Sequence, residues 1–361
     1  MINLVKKIGI DLGTANSVVY VEDKGIVLQE PTVVAVTVED NKVVAVGNEA
    51  KEMLGRTPDT IAASRPMRDG VIADYVVTEA MLRYFIQKVC GRNFLFKPEV
   101  MICVPAGCTQ VERRAVEDAT RSAGARGVYV IHEPFAAALG AGISVGEASG
   151  NMIVDIGGGS AEAAVISLGG IVASRSVRVS GNKLDDAIAS MLRRKHGLIV
   201  GERTAEEIKL TMGRAMPDPE DREITNHKSQ ITNKEKKVAP RGVSRLKSRK
   251  VKGRDSIQGL PKTVGITAEE IEEALRPRLM QIVSMIKGVL EDIPPELASD
   301  IIDKGIVMSG GTSLLKNFDK LLTKETGVPC HVAEEAILCV AKGTGIALDN
   351  LQMYKLVISK R

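Results

Sequence analysis

The sequence predicts an α/β protein built from two similar domains that face each other across a cleft. The main observation is a repeated segment, because IGIDLGT at residues 8–14 and IVDIGGGS at residues 153–160 share one design. Each is an apolar strand that ends in Asp and a Gly turn with a hydroxyl residue, and a second apolar strand follows. The length of 361 residues suits about two domains of roughly 150 residues. A duplicated α/β unit of this kind implies paired domains.

The first half of the chain alternates strand and helix patterns. Short apolar runs bounded by turn residues predict the strands, and apolar residues at helical spacing predict the helices. Thr109 is a residue of the type that caps a helix, and Gly124 is of the type that ends one. Strands are predicted at 7–11, 17–22, 25–28, 32–37, 42–46, 99–105 and 128–131, and helices at 78–91, 109–124 and 133–142.

The same order restarts in the second half. Thr267 and Glu270 have the spacing of a capping box, which predicts the start of a helix. Strands are predicted at 151–155, 161–167, 171–179, 305–309 and 330–332, and helices at 184–196, 204–212, within 266–292, from the Gly pair at 310–311 to residue 322, and at 336–351.

Composition excludes several classes of protein. Hydrophobic residues make up 44% and charged residues 26% of the chain, which is ordinary for a globular protein. No apolar run reaches the ~18 residues of a membrane-spanning helix, and residues 1–10 are too short for a signal peptide. Trp is absent and aromatic residues are 3%, which disfavours stacking on single-stranded nucleic acid. The five Cys have no metal or disulfide spacing and are expected to be reduced thiols in a cytoplasmic protein.

The net charge of +4 hides one strongly basic segment. Residues 222–254 hold twelve Lys or Arg and only two acidic residues, a local charge of +10, so the rest of the chain carries −6. The segment is polar and has no steady period, so it cannot bury enough surface to fold compactly alone. Two interpretations stay open, a solvated loop or an electrostatic arm for anionic lipid or an acidic partner. Specific nucleic acid is disfavoured because nothing here offers base readout.

The two Gly turns are candidate phosphate sites. A turn without Cβ atoms lets backbone N–H groups approach a phosphate, and a Ser or Thr adds a hydroxyl donor. Asp11 and Asp155 precede the turns, where carboxylates can hold Mg²⁺ or its waters. Two such turns from opposite sides would clamp a polyphosphate, and SGGT at residues 309–312 adds a third Gly turn after a strand. The alternative is that each turn only joins two strands.

These residues resemble the actin-fold ATPases, and longer motifs resemble one of their families, the MreB bacterial actins. The resemblance covers nearly the whole chain except about residues 217–251. The motifs that carry it are DLGTAN (11–16), RPMRDGVIAD (65–74), VPAGCTQVERR (104–114), EPFAAA (133–138), GERTAEEIK (201–209), PPELASDI (294–301) and VAKGTG (340–345).

The resemblance implies an actin-like fold, in which two duplicated ribonuclease-H-like α/β domains surround a nucleotide cleft and each carries a small subdomain. The first domain would span residues 1–145, with a small subdomain at about 33–65. The second would span 146–335, with a small subdomain at about 182–260 that includes the basic insertion at about 217–251. Residues 336–361 would form a C-terminal helix that packs back on the first domain.

The resemblance also implies roles for residues around ATP and Mg²⁺. Asp11 and Asp155 would flank Mg²⁺, through water, and Glu133 would position the attacking water. On its residues alone, Glu133 is equally a helix N-terminal Glu favoured by the helix dipole. The implied nucleotide contacts are Thr14, Ala15 and Asn16 in the first phosphate loop, Gly157, Gly158 and Gly159 in the second, Glu206, Glu207, Ile208 and Lys209 at adenine and ribose, and Gly310, Gly311, Thr312 and Ser313 closing the site.

The function implied is a cytoskeletal ATPase, slow and coupled to polymerisation, whose filaments lie on the inner face of the cytoplasmic membrane. Such filaments organise cell-wall synthesis and maintain rod shape, together with cell-elongation membrane proteins. Alternatives are a hydrolysis-poor paralogue, a sugar or acid kinase, and a chaperone ATPase. The hydrolysis-poor paralogue is favoured by departures from the family pattern. These departures lie at His132, at Ser160 and Ala161, at Asn182 and Lys183, and at Ser309.

A short apolar tip is a candidate membrane contact. Phe94, Leu95 and Phe96 lie between Arg92 and Lys97. In a loop, apolar side chains with basic flanks suit shallow insertion among anionic headgroups, and the family resemblance favours this interpretation. The alternative is that Phe94 and Phe96 are core residues at the entry of a strand.

Overall fold

The structure is a computed structural model that describes residues 5–91, 96–217, 248–355 and 357–360. Two of the predicted membrane-contact residues, Phe94 and Leu95, lie outside the described residues. The same holds for residues 218–247, which make up most of the basic insertion.

The strands and helices follow one another along both halves of the described chain. The strands are β1 (Lys7–Leu12), β2 (Asn16–Val21), β3 (Gly25–Pro31), β4 (Val34–Thr37), β5 (Val43–Val46), β6 (Ile61–Ser64), β7 (Met67–Arg68), β8 (Val71–Ile72), β9 (Glu99–Val104), β10 (Gly127–His132), β11 (Asn151–Ile156), β12 (Ala161–Ser167), β13 (Gly170–Val177), β14 (Leu198–Ile199), β15 (Ser248–Asp255), β16 (Pro261–Thr267), β17 (Ile306–Ser309), β18 (Cys330–Val332) and β19 (Ser359–Lys360). The helices are α1 (Asn48–Met53), α2 (Tyr75–Cys90), α3 (Gln110–Ser122), α4 (Glu133–Gly140), α5 (Gly181–His196), α6 (Glu202–Met212), α7 (Ala268–Glu291), α8 (Pro295–Lys304), α9 (Phe318–Thr326) and α10 (Cys339–Asp349), with single 3₁₀ turns at Gly311–Leu314 and Ala336–Leu338.

Two large sheets have the same internal order, which confirms the predicted duplication. The first sheet runs β19-β10-β9-β1-β2-β3, and the second runs β13-β12-β11-β17-β18. In each, an antiparallel meander begins with the strand of the repeated segment, β1 or β11. That strand also pairs in parallel with a later one, β9 or β17. Parallel partners need a crossover, and the helices between the strands supply it.

Helices α4 and α10 pack between the two large sheets. The cluster around them takes Met101 and Ile131 from the first sheet and Ile153 and Ile166 from the second, all almost fully buried. The two helices touch backbone to backbone, because a Cβ on Gly343 would lie 1.7 Å from the carbonyl oxygen of Ala136. The C-terminal helix is therefore part of the core that joins both halves.

Each half also carries a small sheet. In the first half, β5-β4-β6 packs with α1 around Val33, Ala35, Ala45 and Ala50. In the second half, β14-β15-β16 forms a three-stranded sheet whose inner residues Val251 and Ile266 join the large core of that half.

The predicted helix starts are confirmed where the signal is local. The hydroxyl oxygens of Thr109 and Thr267 each accept the backbone N–H of the Glu three residues later. Each Glu carboxylate in turn accepts the backbone N–H of its Thr, which completes two capping boxes. The prediction of one helix from the 310–311 Gly pair to residue 322 was wrong. A 3₁₀ turn ends at Leu314 and α9 begins only at Phe318, because Asn317 adopts a left-handed φ of 60° that interrupts the helix.

The end of the basic segment belongs to a sheet, so the interpretation of residues 222–254 as a solvated loop does not hold for residues 248–254. Residues 248–254 belong to β15 and pair along their length with β16. Only Val251 of this strand is buried. Pairing with a distant strand, rather than its own apolar pattern, therefore holds it in the sheet.

Within the ranges described above, none of the helices has both the length and the apolar character that crossing a membrane requires.

Candidate functional site

A cavity of about 430 Å³ lies between the two Gly turns, a size typical of small-molecule sites. Most of the residues predicted for the nucleotide site line it. They are Asp11, Thr14, Ala15, Asn16, Glu133, Asp155, Gly157, Gly158, Gly159, Glu206, Lys209, Gly310, Gly311 and Thr312.

The two Gly turns touch each other across the cavity. A Cβ on Gly158 would lie 2.5 Å from the Cβ of Ala15, and a Cβ on Gly159 would lie 2.3 Å from Thr14 Oγ1. Any larger residue would therefore push the loops apart. The arrangement leaves backbone N–H groups of both loops bordering the cavity, as an anion site requires.

The second loop is held in place by the elements behind it. Thr312 Oγ1 donates to the carbonyl oxygen of Gly157 at 2.7 Å. The N–H of Asn182, in the first turn of α5, donates to the carbonyl oxygen of Gly158 at 2.8 Å, and Ser180 Oγ donates to Gly157 as well. The carbonyl oxygens of Gly157 and Gly158 thus already accept hydrogen bonds from the protein.

Two carboxylates at equivalent strand ends border the cavity. Burial raises the pKa of Asp11 to about 7, and the charge of Asp155 adds to the shift. Burial also raises the pKa of Asp155 to about 6, although Ser309 Oγ donates to its Oδ1 at 2.6 Å. Like charges held close together out of water are costly, so a cation between them would stabilise the site.

The donor set fits Mg²⁺ bound together with phosphate. Mg²⁺ prefers oxygen ligands and is usually held by one or two carboxylates, with waters and substrate phosphates completing its shell. Asp11 and Asp155 supply such oxygens. Within the described ranges, no group of three His, Cys, Asp or Glu converges to hold a metal, so these two carboxylates would act with ligands from the nucleotide and water.

Glu133 begins α4 and faces the same cavity. Burial, followed by the charges of Glu162 and Asp11, raises its pKa well above the usual range. Glu162, fully buried on β12, accepts the N–H of Ala106 with both oxygens at 3.0 Å. Sequence reasoning missed Glu162, although an acid inside an otherwise apolar strand was an available clue.

Helix α6 brings part of its surface to the cavity. Glu206, Lys209 and Leu210 line it at the i, i+3, i+4 spacing of a helix face, and Thr211 in the last turn lines it as well. The prediction that Glu207 and Ile208 contact the nucleotide is not supported. Ile208 points into the core of the second half, and Glu207 points to solvent and pairs with Arg249.

Apolar residues missed by the sequence analysis complete the cavity on the side of α6. They are Leu210, Leu314, Leu315 and Ile337, together with Val340. Ser313 does not line the cavity, because its hydroxyl donates to the carbonyl oxygen of Gly310 at 2.6 Å and shapes the turn. The cavity thus combines Gly loops and carboxylates with apolar side chains, a lining that suits a nucleotide.

Ion pairs join the two halves beside the cavity. Lys51 Nζ lies 3.1 Å from Glu206 Oε2, and Arg65 Nε lies 3.7 Å from Glu202 Oε2. Lys51 belongs to α1 of the first half, whereas both glutamates belong to α6. Glu206 therefore contacts the cavity and the opposite half at once.

The departures from the family pattern divide into two groups. Ser160 and Asn182 line the cavity, and Ser309 bonds to Asp155. His132 and Lys183 do not reach it. His132 lines a second cavity with Arg113 and Ser174, and Lys183 lies 3.8 Å from Asp186 on the outer face of α5.

Comparison with known proteins identifies the family. The family model described as MreB/Mbl protein matches residues 5–245 and 228–356. The chain belongs to the MreB/Mbl family. It is 49% identical over 352 residues to the cell shape-determining protein MreB of Escherichia coli K12, covering 96% of this chain and 94% of that one. It is 46% identical over 346 residues to the cell shape-determining protein Mbl of Bacillus subtilis, covering 96% of each.

Solved structures confirm the actin-like fold of this MreB/Mbl chain. MreB5 of Spiroplasma citri bound to AMPPNP is 33% identical, covers 96% of this chain and 97% of its own, and superposes with a TM-score of 0.84. The same protein bound to ADP gives a TM-score of 0.84 over 98% of both chains. A chain of the MamK double helical filament is 17% identical and matches with a TM-score of 0.76, covering 95% of this chain and 98% of its own. At this identity the match supports the fold alone.

Proposed function

We propose that this MreB/Mbl chain is a cytoskeletal ATPase that binds ATP with Mg²⁺ and assembles into filaments. The observation that carries the proposal is the cavity between two duplicated Gly loops, bordered by Asp11, Asp155 and Glu133. Support comes from the MreB5 relative, which has been solved with AMPPNP and with ADP.

Different residues of the cavity would bind different parts of the nucleotide. Backbone N–H groups of residues 14–16, 158 and 159 would hold the phosphates, whereas that of Gly157 already donates to the carbonyl oxygen of Ser160. The slot beside Leu210 and Ile337 would hold the base, and Lys209 lies at its edge, positioned by Asp185 at 2.9 Å. Asp11 and Asp155 would hold Mg²⁺, which would neutralise part of the phosphate charge.

Glu133 is the group proposed to orient water. In phosphoryl transfer, a protein contributes mainly by positioning the reacting groups and stabilising charge. A carboxylate can accept a hydrogen bond from the attacking water and so orient it. Glu133 starts α4, whose backbone packs against α10, so its main chain is held rigidly. Glu162 is buried close enough to Glu133 for its charge to help raise the pKa of Glu133.

In the cell, we place the filaments at the inner face of the cytoplasmic membrane, where they organise cell-wall synthesis and maintain rod shape with cell-elongation membrane proteins. Support comes from the relatives at 46–49% identity, which are cell shape-determining proteins. Depleting the protein should round the cells, and cells that keep their shape would contradict this role.

Light scattering and phosphate release, recorded together after addition of Mg·ATP, test the biochemical proposal. A rise in scattering with slow release of phosphate is the expected result. No scattering at any protein concentration would contradict filament assembly. ATP consumption that requires an added sugar or acid would indicate a kinase, and release stimulated by unfolded peptide would indicate a chaperone ATPase.

A hydrolysis-poor paralogue is the second candidate. The observation that favours it is the second phosphate loop, where Ser160 is followed by Ala161, a fully buried side chain that offers no hydroxyl. Asn182 at the cavity adds another change. Scattering that rises with ATP while phosphate release stays at background would support this candidate over the ATPase.

The Phe94–Phe96 tip is proposed as the membrane contact. Phe96 is 47% exposed, which disfavours the alternative that it is a core residue, while Phe94 and Leu95 lie outside the described residues. An exposed Phe beside Lys97 suits an interfacial site with basic flanks.

Replacing Phe94 and Leu95 with Ser should abolish binding to anionic vesicles. Two buried side chains of this size are worth roughly 3–6 kcal/mol per subunit at most, and filaments multiply that through avidity. Co-sedimentation with anionic vesicles measures the loss. Leu168→Ser, at an exposed turn residue, is the matched control. Wild-type binding by the double variant would contradict the assignment.

A further inference from the structure

A turn of the first half meets a strand of the second half beside the nucleotide cavity. The turn joins β9 to α3 and is closed by the N–H of Cys108, which donates to the carbonyl oxygen of Pro105 at 3.1 Å. The N–H groups of the two central residues of a turn take no part in the closing bond. Ala106 and Gly107 can therefore donate to another group.

Glu162 of β12 is the group that accepts these donors. Both of its carboxylate oxygens lie 3.0 Å from the backbone nitrogen of Ala106. The N–H of Gly107 and the hydroxyl of Ser176 also donate to the carboxylate, and the side chain is fully buried. Hydrogen bonds to a carboxylate are stronger than those between neutral groups. Glu162 therefore fastens the β9–α3 turn to the second half.

Packing and a surface ion pair accompany this contact. A Cβ on Gly107 would lie 3.0 Å from the Cβ of Ser176, so the turn lies directly on β13. Arg178, just after β13, lies 2.9 Å from Glu112 near the start of α3, but its side chain is 55% exposed. Exposed ion pairs contribute little, so the buried Glu162 is the stronger of the two polar contacts.

On the second half, Glu162 lies next to the residues that border the cavity. Strand register places Asp155 of β11 directly opposite it on one side and Ser176 of β13 on the other. Directly opposite residues of antiparallel strands have their side chains on the same face of the sheet. Residues 157–159, which include the second phosphate loop, connect β11 to β12. Glu162 is therefore rigidly linked to that loop.

On the first half, the β9–α3 turn is linked to Glu133 in the same way. Strands β9 and β10 pair in parallel, with Val104 opposite His132, so the turn and Glu133 follow the ends of neighbouring strands. After burial, the charge of Glu162 is the largest influence that raises the pKa of Glu133, which shows that the two carboxylates are close. A shift of the turn against the second half would therefore move Glu133 as well.

We propose that Glu162 is a positioning residue for ATP hydrolysis. By holding the β9–α3 turn, it fixes Glu133 of the first half relative to the phosphate loop at residues 157–159 of the second half. An attacking water must be aligned with the terminal phosphate, and a displacement of about 1 Å can cost on the order of a hundredfold in rate. Glu162 does not line the nucleotide cavity, so it acts through the turn. The inference rests on the proposed ATPase function.

Replacing Glu162 with Gln tests this role. The amide keeps the size of the side chain but replaces one acceptor oxygen with an NH₂ donor, which would face the N–H groups of the turn. Phosphate release at saturating Mg·ATP, per subunit that binds a fluorescent ATP analogue, should fall at least about tenfold. Arg178→Ala removes the exposed ion pair across the same boundary and is the matched control, which should stay within about twofold of the parent.

A disulfide across the boundary separates positioning from direct action on the water. Gly107→Cys and Ser176→Cys, in a Cys108→Ser background, place two Cβ atoms near the ~3.8 Å separation of a disulfide. In the Glu162→Gln chain, the oxidised pair should restore phosphate release to within about threefold of the same oxidised pair beside native Glu162. Reduction should remove the gain. A low rate in the fully cross-linked Glu162→Gln chain would overturn the positioning role.

The outcomes separate this inference from the function on which it rests. A parent chain that binds nucleotide but releases no phosphate would overturn the ATPase and the positioning role with it. Release by the parent together with unchanged release by Glu162→Gln would overturn the positioning role alone.

Ser176→Ala is the milder variant for the case that Glu162→Gln does not bind the analogue. It removes one donor to Glu162 and leaves the buried carboxylate in place. Its phosphate release should fall about twofold to fivefold, and an unchanged rate would overturn the proposal.

Discussion

Replacing Glu133 with Ala is expected to leave ATP binding close to that of the parent while lowering phosphate release at least about tenfold. A tenfold change corresponds to roughly 1.4 kcal/mol of barrier. Binding should survive because the phosphate loops and the apolar slot lie elsewhere in the cavity. The rate should fall because no other carboxylate at the start of α4 can orient the water. Phosphate release per subunit, measured on assembled protein, is the readout.

Two comparisons make this result interpretable. Glu133→Gln keeps a hydrogen-bond acceptor but cannot take up or release a proton, so an intermediate rate would separate orientation of the water from proton transfer. Neither variant should unfold the protein, since burial and the charges of Glu162 and Asp11 already disfavour an ionised Glu133. Parental turnover in Glu133→Ala would show that another group positions the water.

Replacing Asp11 with Ala is expected to abolish the dependence of nucleotide affinity on Mg²⁺. Asp11 lies near the end of β1 and borders the cavity together with Asp155, so it is one of the two carboxylates proposed to hold the cation. Removing it should leave a site that binds ATP with or without Mg²⁺ at the same reduced affinity. Calorimetric titration with ATP, in Mg²⁺ and in EDTA, measures the difference.

Glu39→Ala is the control for the Asp11 variant, because Glu39 is an exposed carboxylate outside the cavity. It should retain the full effect of Mg²⁺. An Asp11→Ala protein that binds Mg·ATP as tightly as the parent would remove Asp11 from the metal site and leave Asp155 as the candidate ligand.

Elements whose cause is local were predictable. The capping boxes at Thr109 and Thr267 need only residues three positions apart, and the structure contains both. Strands β1 and β11 were identified for a similar reason, because each is an apolar run that stops at an Asp and a Gly turn. Strand β15 was missed since its SRKVKGRD sequence has one apolar residue and its stability comes from pairing with β16.

The residues of the candidate site were predictable where they belong to a sequence motif. Motif membership alone did not reveal which side of α6 faces the cavity, so Glu207 and Ile208 were included with Glu206 and Lys209. Leu314 and Ile337 were missed because two separate 3₁₀ turns bring them to the same wall. Glu162 was missed because its partner Ala106 is 56 residues away.

The amino-acid sequence by itself determined the duplicated α/β design, the two Gly loops with their Asp residues, the family and the basic character of residues 222–254. These depend on short-range patterns that a chain carries wherever it folds. Only the tertiary structure decided that Asp11, Asp155, Glu133 and Glu162 share one buried region, and that α4 and α10 pack between the two large sheets. The interaction between charged groups depends on their distance in space. The order of residues along the chain does not specify that distance.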